Sequence, residues 1–328
     1  MKSVAFLTNR TDISIGSHRI WVLDLSKYLK NIGIDVVITA NAKIAANYDI
    51  VICGKSDVNL ACLFKSENPN CLVGIINLAA DKINLPIDFV IVGSIEEMDS
   101  LSSYKNVLLF PLIESMYDIE FPKLHSKKDC LRIGFHGSFT HLAKFEPGLR
   151  LALEELAETV KYELLVITND KSFNWTIGKP NVKNIMVKNW NIETIKEDLT
   201  SCDIGIVPNI TNFSALGQES PSDQGLYETD YILRMKNKSN AGRAFVFHQL
   251  GIPVVADLTP SNFHVMGGND CGYLVSSKNG WKKALLKLVD HEKRQEIATN
   301  AFNRFKVLYD ANTWTMNLYE ELLEINNG

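Results

Sequence analysis

The stretch Lys238-Ser239-Asn240-Ala241-Gly242-Arg243-Ala244-Phe245-Val246-Phe247-His248-Gln249-Leu250-Gly251-Ile252-Pro253-Val254-Val255-Ala256-Asp257 reads as a helix, a stop and a buried strand. Ser239 or Asn240 offers a side-chain oxygen to cap the helix. Gly251 suits the left-handed turn that ends it. Pro253–Ala256 is apolar without alternation, the pattern of a strand covered on both faces. Lys238 and Arg243 flank the exposed N–H groups of the first turn, so backbone donors, helix dipole and two cations converge on a place that suits an anion. A plain capped helix with solvated Lys and Arg fits the same residues.

The alternation seen here extends along the whole chain. Short β-branched runs fall at Val4–Leu7, Asp35–Thr39, Asp49–Cys53, Cys71–Ile76, Asp88–Val92 and Val107–Leu109, with a helix over Ser17–Lys30. The second half repeats the scheme. Its strands are Arg132–Phe135, Glu163–Thr168, Asn184–Val187, Ile204–Val207 and Pro253–Ala256, and its helices Pro147–Val160, Ile192–Ser201, Asn240–Leu250, Gly280–Leu288 and His291–Tyr309. Apolar strands alternating with amphipathic helices predict an α/β chain with parallel sheets covered on both faces. With 328 residues, two domains are expected at roughly 100–200 residues each. Phe121-Pro122-Lys123-Leu124-His125-Ser126-Lys127-Lys128-Asp129 is polar, charged and Pro-containing, as linkers are. The division expected is 1–120, 121–310 and a last helix over 311–328. Asn209–Lys238 shows little periodicity, and a long irregular segment in a compact protein is usually functional or mobile.

Composition narrows the function. A formal charge of −4 argues against a general nucleic-acid binder. No run reaches the roughly 18–20 apolar residues of a membrane span, and Met1–Arg10 reads as a first strand rather than a signal peptide. The six cysteines are scattered with no C-x-x-C pair, as buried thiols of a reducing compartment are. A cytoplasmic protein is expected. Clustered Lys on the C-terminal helices leaves room for peripheral contact with the inner membrane face, though solvated helix faces explain them equally. There is no phosphate loop, no G-x-G-x-x-G after a strand, no nucleophile elbow and no zinc spacing. No metal or cofactor is expected.

Two loops follow strands in the way binding loops do. His136-Gly137-Ser138-Phe139-Thr140-His141-Leu142-Ala143-Lys144 places a glycine where a ligand can approach the backbone, with Ser138, Thr140 and Lys144 as donors. Asn9–Arg19 follows the first strand and opens the first long helix, where ligands of open α/β sheets bind. Gly16 and Ser17 sit there with Arg10, Asp12, His18 and Arg19. Trp190 and Asn191 precede a helix; the Trp fits either packing or stacking on a base.

Taken together these pieces resemble GT-B glycosyltransferases, in particular the retaining group 1 family. Lys238–Asp257 resembles the donor-binding helix and the "x-G-x-P-V-[VI]-A" that follows it. Ser201-Cys202-Asp203-Ile204-Gly205-Ile206-Val207-Pro208 is similar to the family's "ADIGIVP" strand, and Arg132-Ile133-Gly134-Phe135-His136-Gly137-Ser138 to the strand and Gly loop opening its C-terminal domain. Leu109–Ile113, Gly272–Val275 and Trp314–Ile325 resemble the interdomain strand, the "G-x-L-V" and the helix crossing back. The resemblance implies two Rossmann-like domains facing a cleft, with the acceptor on the N-terminal side and the donor on the C-terminal side. It implies transfer of a sugar from a nucleotide sugar, bound as substrate, to a glycan or lipid-linked glycan in bacterial surface polysaccharide synthesis. Lys238 and Arg243 would meet the leaving phosphate, and His136 and Asp12 would join the catalytic group. Gly16, Ser17, Gly137, Ser138, Lys144, Trp190, Asn191, Ser239 and Asn240 would line the donor. The family's Glu-x7-Glu is missing, because its positions fall on Lys238 and Val246; Glu228 and Asp230 are candidate substitutes. Alternatives are a nucleotide-sugar epimerase of this fold, which would need cleft carboxylates, and a non-catalytic glycan-binding or partner subunit.

Overall fold

The computed structural model describes residues 2–54, 56–78, 85–101, 103–146, 148–170, 172, 174–209, 240–268 and 270–327. They form two compact units, one of Met1–Ser115 with Leu308–Gly328 and one of Met116–Val307. Each unit carries a six-stranded, all-parallel sheet.

In the first unit the strands are β1 (Val4–Leu7), β2 (Val36–Thr39), β3 (Ile50–Cys53), β4 (Leu72–Ile76), β5 (Phe89–Val92) and β6 (Val107–Leu109), in the order β2-β1-β3-β4-β5-β6. Val4 lies opposite Val36 on one side and Ile50 on the other. The runs are apolar throughout because helices cover both faces. Ala5, Val51, Val73 and Val90 are fully buried in one cluster with Phe64. The sequence predicts one helix over Ser17–Lys30. The chain instead forms α1 (Gly16–His18), a π-helical segment (Arg19–Asp24) and α2 (Leu25–Asn31). Helices α3 (Ala42–Ala45), α4 (Val58–Glu67) and α5 (Ile95–Ser100) follow.

In the second unit the strands are β7 (Leu131–His136), β8 (Tyr162–Thr168), β9 (Ile185–Asn189), β10 (Ile204–Val207), β11 (Val254–Asp257) and β12 (Tyr273–Val275). Their order, β12-β11-β10-β7-β8-β9, reverses direction between β7 and β10, as in dinucleotide-binding sheets. Helices α6 (Gly148–Leu156), α7 (Ile195–Thr200), α8 (Gly242–Gln249), α9 (Pro260–Met266), α10 (Lys278–Lys287) and α11 (His291–Leu308) cover it, and the last helix, α12 (Ala311–Asn327), belongs to the first unit. There Tyr319 closes the chain ends together, its hydroxyl accepting from Lys2 N at 2.6 Å and donating to Lys2 O at 2.8 Å.

Two glycines place α8. At Gly205 a Cβ would stand 2.5 Å from the Phe247 ring, so its absence lets the helix lie directly on β10. Gly251 takes φ +64°, and Gly251 N and Ile252 N donate back to His248 O and Phe247 O. This is the reciprocal pair of bonds by which a left-handed residue ends a helix. The polar segment 121–129, which reads as a free linker, is bound into the second unit. Lys123 and Lys128 both reach the buried Asp203 carboxylate, at 3.4 and 2.7 Å. His125 Nε2 lies 3.0 Å from Gly251 O, and Arg294 Nη2 donates to Ser126 O at 2.8 Å. A charged, Pro-containing sequence says nothing about partners 75 or more residues ahead.

Gly251→Ala is expected to destabilise the second unit by about 2 kcal/mol or more, since it strains φ and drives a methyl to 2.5 Å from Pro122 Cβ; denaturant unfolding checks this. Acid weakens the same unit. Burial pushes His125 down to about 4 and His248 to about 3. Below an unfolded value of about 6.5 the unfolded chain therefore binds protons that the folded one refuses, and stability falls with pH. The melting temperature is expected to drop between about pH 6.5 and 4, with a shallower slope in His125→Gln.

Candidate functional site

The reversal of strand order in the second sheet puts the ends of β7 and β10 side by side, with connections leaving in opposite directions. Ligands of such sheets bind in the crevice this opens. Gly137 follows β7, with φ +147°. Pro208 and Asn209 follow β10, and α8 begins beside them. Arg243, in the first turn of α8, crosses this point. Its Nη2 donates to Pro208 O at 2.7 Å, and its guanidinium carbon lies 5.4 Å from the centre of the Phe135 ring. A Cβ at Gly137 would come within 3.4 Å of Arg243 Cδ, so the glycine leaves the guanidinium its place.

Arg243 is incompletely compensated. Burial pushes its pKa down to about 10, against the pull of the Asp257 carboxylate, and it stays charged at neutral pH. Nη1 is buried and, among the described residues, has no hydrogen-bond partner. A buried cation with an open donor is stabilised by an anion, and costs free energy without one. The start of α8 adds to this. Helix N-termini leave N–H groups unpaired. The sequence predicts a side-chain cap from Ser239 or Asn240; Ser239 lies outside the described residues, and Ala241 holds the N-cap position without a side-chain bond. Asn240 Oδ1, as expected, accepts a first-turn N–H, that of Gly242, at 3.2 Å.

A polar network fixes the floor of this place. Asn209 N donates to Asp257 Oδ2 at 2.7 Å, and Asn209 Nδ2 to Asn240 O at 3.4 Å. The fully buried Asn262 donates Nδ2 to Asn209 Oδ1 at 3.0 Å and to Asp257 O at 2.8 Å. Thr259 caps α9 by accepting from Asn262 N at 3.2 Å. The sequence reading names none of Asn209, Asp257, Thr259 or Asn262 as site residues. Only Thr259-Pro260, a cap followed by a proline at the first helical position, carried a local signal.

Of the residues named from sequence, Arg243, Gly137, Asn240 and His136 come together. The buried His136 ends β7 with Nε2 3.5 Å from Arg243 O and its ring edge-on to Phe247 at 5.1 Å. It touches the first turn of α8 from the sheet side, which is where a group that positions Arg243 stands. Ser138 opens the 3-10 turn Phe139–Phe145, accepting from Thr140 N. Lys144, buried near the end of that turn, faces a cavity of about 210 Å³ with Glu146, Asp257 and Ser277. Trp190 and Asn191 stand beyond β9, two strands from Arg243 at the sheet edge; Asn191 Oδ1 accepts from Glu193 N at 2.8 Å. Lys238, Ser239, Glu228 and Asp230 lie outside the described residues.

In the first unit Gly16 and Ser17 open α1. Asp12 is exposed and accepts from both Ser14 N and Ser14 Oγ, at 2.8 and 2.7 Å. Those bonds hold its carboxyl below the usual range, which weakens it as a proton acceptor. Among the described residues no cluster of three His, Cys, Asp or Glu is placed to hold a metal ion. No described helix is long and apolar enough to cross a membrane.

A scan against protein-family models gives no match, and a search of curated proteins gives none. Solved structures match over the whole length. Sucrose-phosphate synthase from Thermosynechococcus elongatus is 11% identical, with TM-score 0.66 over 99% of this chain and 100% of that one. A glycosyltransferase from Rickettsia africae is 12% identical, with TM-score 0.64 over 99% and 98%. HepE from Anabaena, solved with UDP and glucose, is 10% identical, with TM-score 0.64 over 99% and 100%. The chain therefore has the GT-B fold, two Rossmann-like units, expected from its sequence.

Arg243→Met is expected to keep or slightly raise the melting temperature, within about 2–4 °C, because it removes a charge the protein only partly compensates. Calorimetric melting of wild type and variant checks this. A variant melting far below wild type would mark Arg243 as a structural residue instead.

Proposed function

We propose that the chain is a glycosyltransferase that moves a sugar from a nucleotide-sugar donor to a hydroxyl of a glycan or lipid-linked glycan. The observation that carries this is the buried Nη1 of Arg243, without a hydrogen-bond partner among the described residues, in the first turn of α8 beside Gly137. The fold supports it: HepE, of the same fold, was solved with UDP and glucose. In the reaction the bond between the anomeric carbon and the diphosphate breaks, and its electron pair leaves with the phosphate. A bond to the acceptor oxygen forms, and the acceptor proton passes to the departing phosphate or to a base. Charge therefore builds on the phosphate as the reaction proceeds. A fixed cation and oriented N–H groups placed there stabilise the transition state more than the ground state. Lys238 adds a second cation in this reading, and the charge on phosphate is met without a metal or resident cofactor.

The ribose is not gripped in the usual way of the retaining group 1 family. Val246, at the position of the second family glutamate, is fully buried on α8. Glu228 and Asp230, outside the described residues, are the candidate substitutes for the missing carboxylates. The resemblance in sequence supports a place in bacterial surface polysaccharide synthesis. All six cysteines are free thiols, which supports a reducing, cytoplasmic setting, with peripheral contact to the inner membrane face where a lipid-linked acceptor would lie.

A thermal-shift panel of UDP, GDP, CMP, ADP, dTDP and their sugars tests the donor. One class is expected to raise the melting temperature by roughly 5–10 °C at about 100 times its Kd, which corresponds to about 2.7 kcal/mol. Free nucleotide is then expected only when an acceptor glycan is present, and Arg243→Ala is expected to lower that turnover by about 100-fold or more. Nucleotide release without an acceptor would favour an epimerase; binding without turnover on any acceptor would favour a partner subunit.

A further inference from the structure

The π-helical segment Arg19–Asp24 comes shortly after the loop of residues 9–15 that follows β1. Its bonds run to the fifth residue back, as from Leu25 N to Ile20 O. Such turns are rare, and single ones recur at functional sites. The effect here is one of facing. In an α-helix, at 3.6 residues per turn, residues five apart stand about 140° round the axis from each other. A π turn closes its bond over that same spacing and brings them nearly into line. Arg19 and Asp24 are such a pair, and both reach the segment by which the chain leaves the first unit. Arg19 Nε and Nη2 donate to Glu114 Oε2 at 2.8 and 2.6 Å. Asp24 accepts from Ser115 N at 3.2 Å and from Ser115 Oγ at 2.7 Å. Ser115 is the last residue of the first unit before the chain passes to the second.

Arg19 also reaches the other way. Its Nη1 donates to Ile13 O at 2.8 Å. The loop needs such a hold, because Ile13 and Ile15 are 49% and 43% exposed and contribute little apolar burial. The Arg10–Asp57 pair at 3.3 Å also touches the loop, but Arg10 is largely in solvent, where ion pairs contribute little. The Arg19–Glu114 fork is buried on both sides. A buried ion pair is weak support for stability, since apolar residues of like volume often replace it without loss. What a planar guanidinium does supply is direction: it fixes a carboxylate and a carbonyl at once. The loop held this way carries Arg10 to the pocket that His18, Trp21 and Asn77 line at the reversal between β1 and β3.

We infer that Arg19 is a positioning residue: braced on Glu114, it holds the loop after β1 in the arrangement that sugar transfer needs. Its part in the transfer rests on the function proposed above; the bracing of the loop does not.

Amide hydrogen exchange on the full chain reads the loop, and steady-state turnover reads the reaction. Arg19→Met combined with Glu114→Met removes the fork and both charges together, so the melting temperature is expected to stay within about 2–4 °C of wild type. Arg19→Lys keeps a charge against Glu114 but puts a single ammonium where the fork was. In both variants the amides of Ser14 and Ile15, which bond Asp12, are expected to exchange about tenfold faster or more, the scale of one lost hydrogen bond. Amides of β1 and of the second unit are expected to exchange as in wild type. kcat/KM for the acceptor is expected to fall by about tenfold or more, with KM for the nucleotide sugar unchanged; a merely structural role would not produce that split. Equal loop exchange in wild type and both variants would overturn the proposal. So would faster loop exchange with an unchanged kcat/KM for the acceptor. A wild type that turns over no acceptor, with the loop loosened in the variants, would sink the transferase reading and with it the part of Arg19 in a reaction, while the brace itself would stand.

Discussion

A guanidinium taken out of water keeps its charge only if something offsets the loss of hydration. At Arg243 the compensation is partial. A carbonyl bond to Pro208 and an aromatic face at Phe135 are worth a few kcal/mol together at most, while burying a charge costs several. The fall of its pKa to about 10 shows which effect wins. The second unit is arranged around this residual cost. Gly205 lets α8 sit close on the sheet, Gly251 ends the helix so that β11 can follow, and Gly137 leaves the guanidinium its space. The Asn209–Asp257–Asn262 network then fixes the loop from which Pro208 presents its carbonyl.

Both sheets follow one constraint. Parallel strands bring all their carboxyl ends to one edge, and a reversal in strand order opens a crevice there. In the second sheet the reversal holds Arg243; in the first it holds the pocket of His18, Trp21 and Asn77. The electrostatics differ accordingly. One place is a buried cation at a helix start, the other a pocket whose Arg10 is paired with Asp57.

Much of the fold is legible in the sequence, because parallel strands buried on both faces leave unbroken apolar runs. Each of the eleven runs read as strands forms one. β12, Tyr273–Val275, is not among those runs, although Gly272–Val275 stands out by its resemblance to the family's "G-x-L-V". The π-helical turn escaped because its residues have the same apolar period as a plain helix. At the site, Gly251 and Arg243 carry local signals, one through helix-stop chemistry and one through its place in the first turn. The polar network does not, since Asn209 meets Asp257 and Asn262 only across 48 and 53 residues. Segment 121–129 shows the same limit. Its lysines look solvated until Asp203 is brought beneath them by the sheet.

The most direct measurement is a crystal structure of the chain with the nucleoside diphosphate that raises its melting temperature most. The terminal phosphate is expected within hydrogen-bond distance, about 3 Å, of Arg243 Nη1 and of the first-turn N–H groups of α8. A diphosphate bound elsewhere, with Arg243 Nη1 satisfied by the protein's own groups, would contradict it.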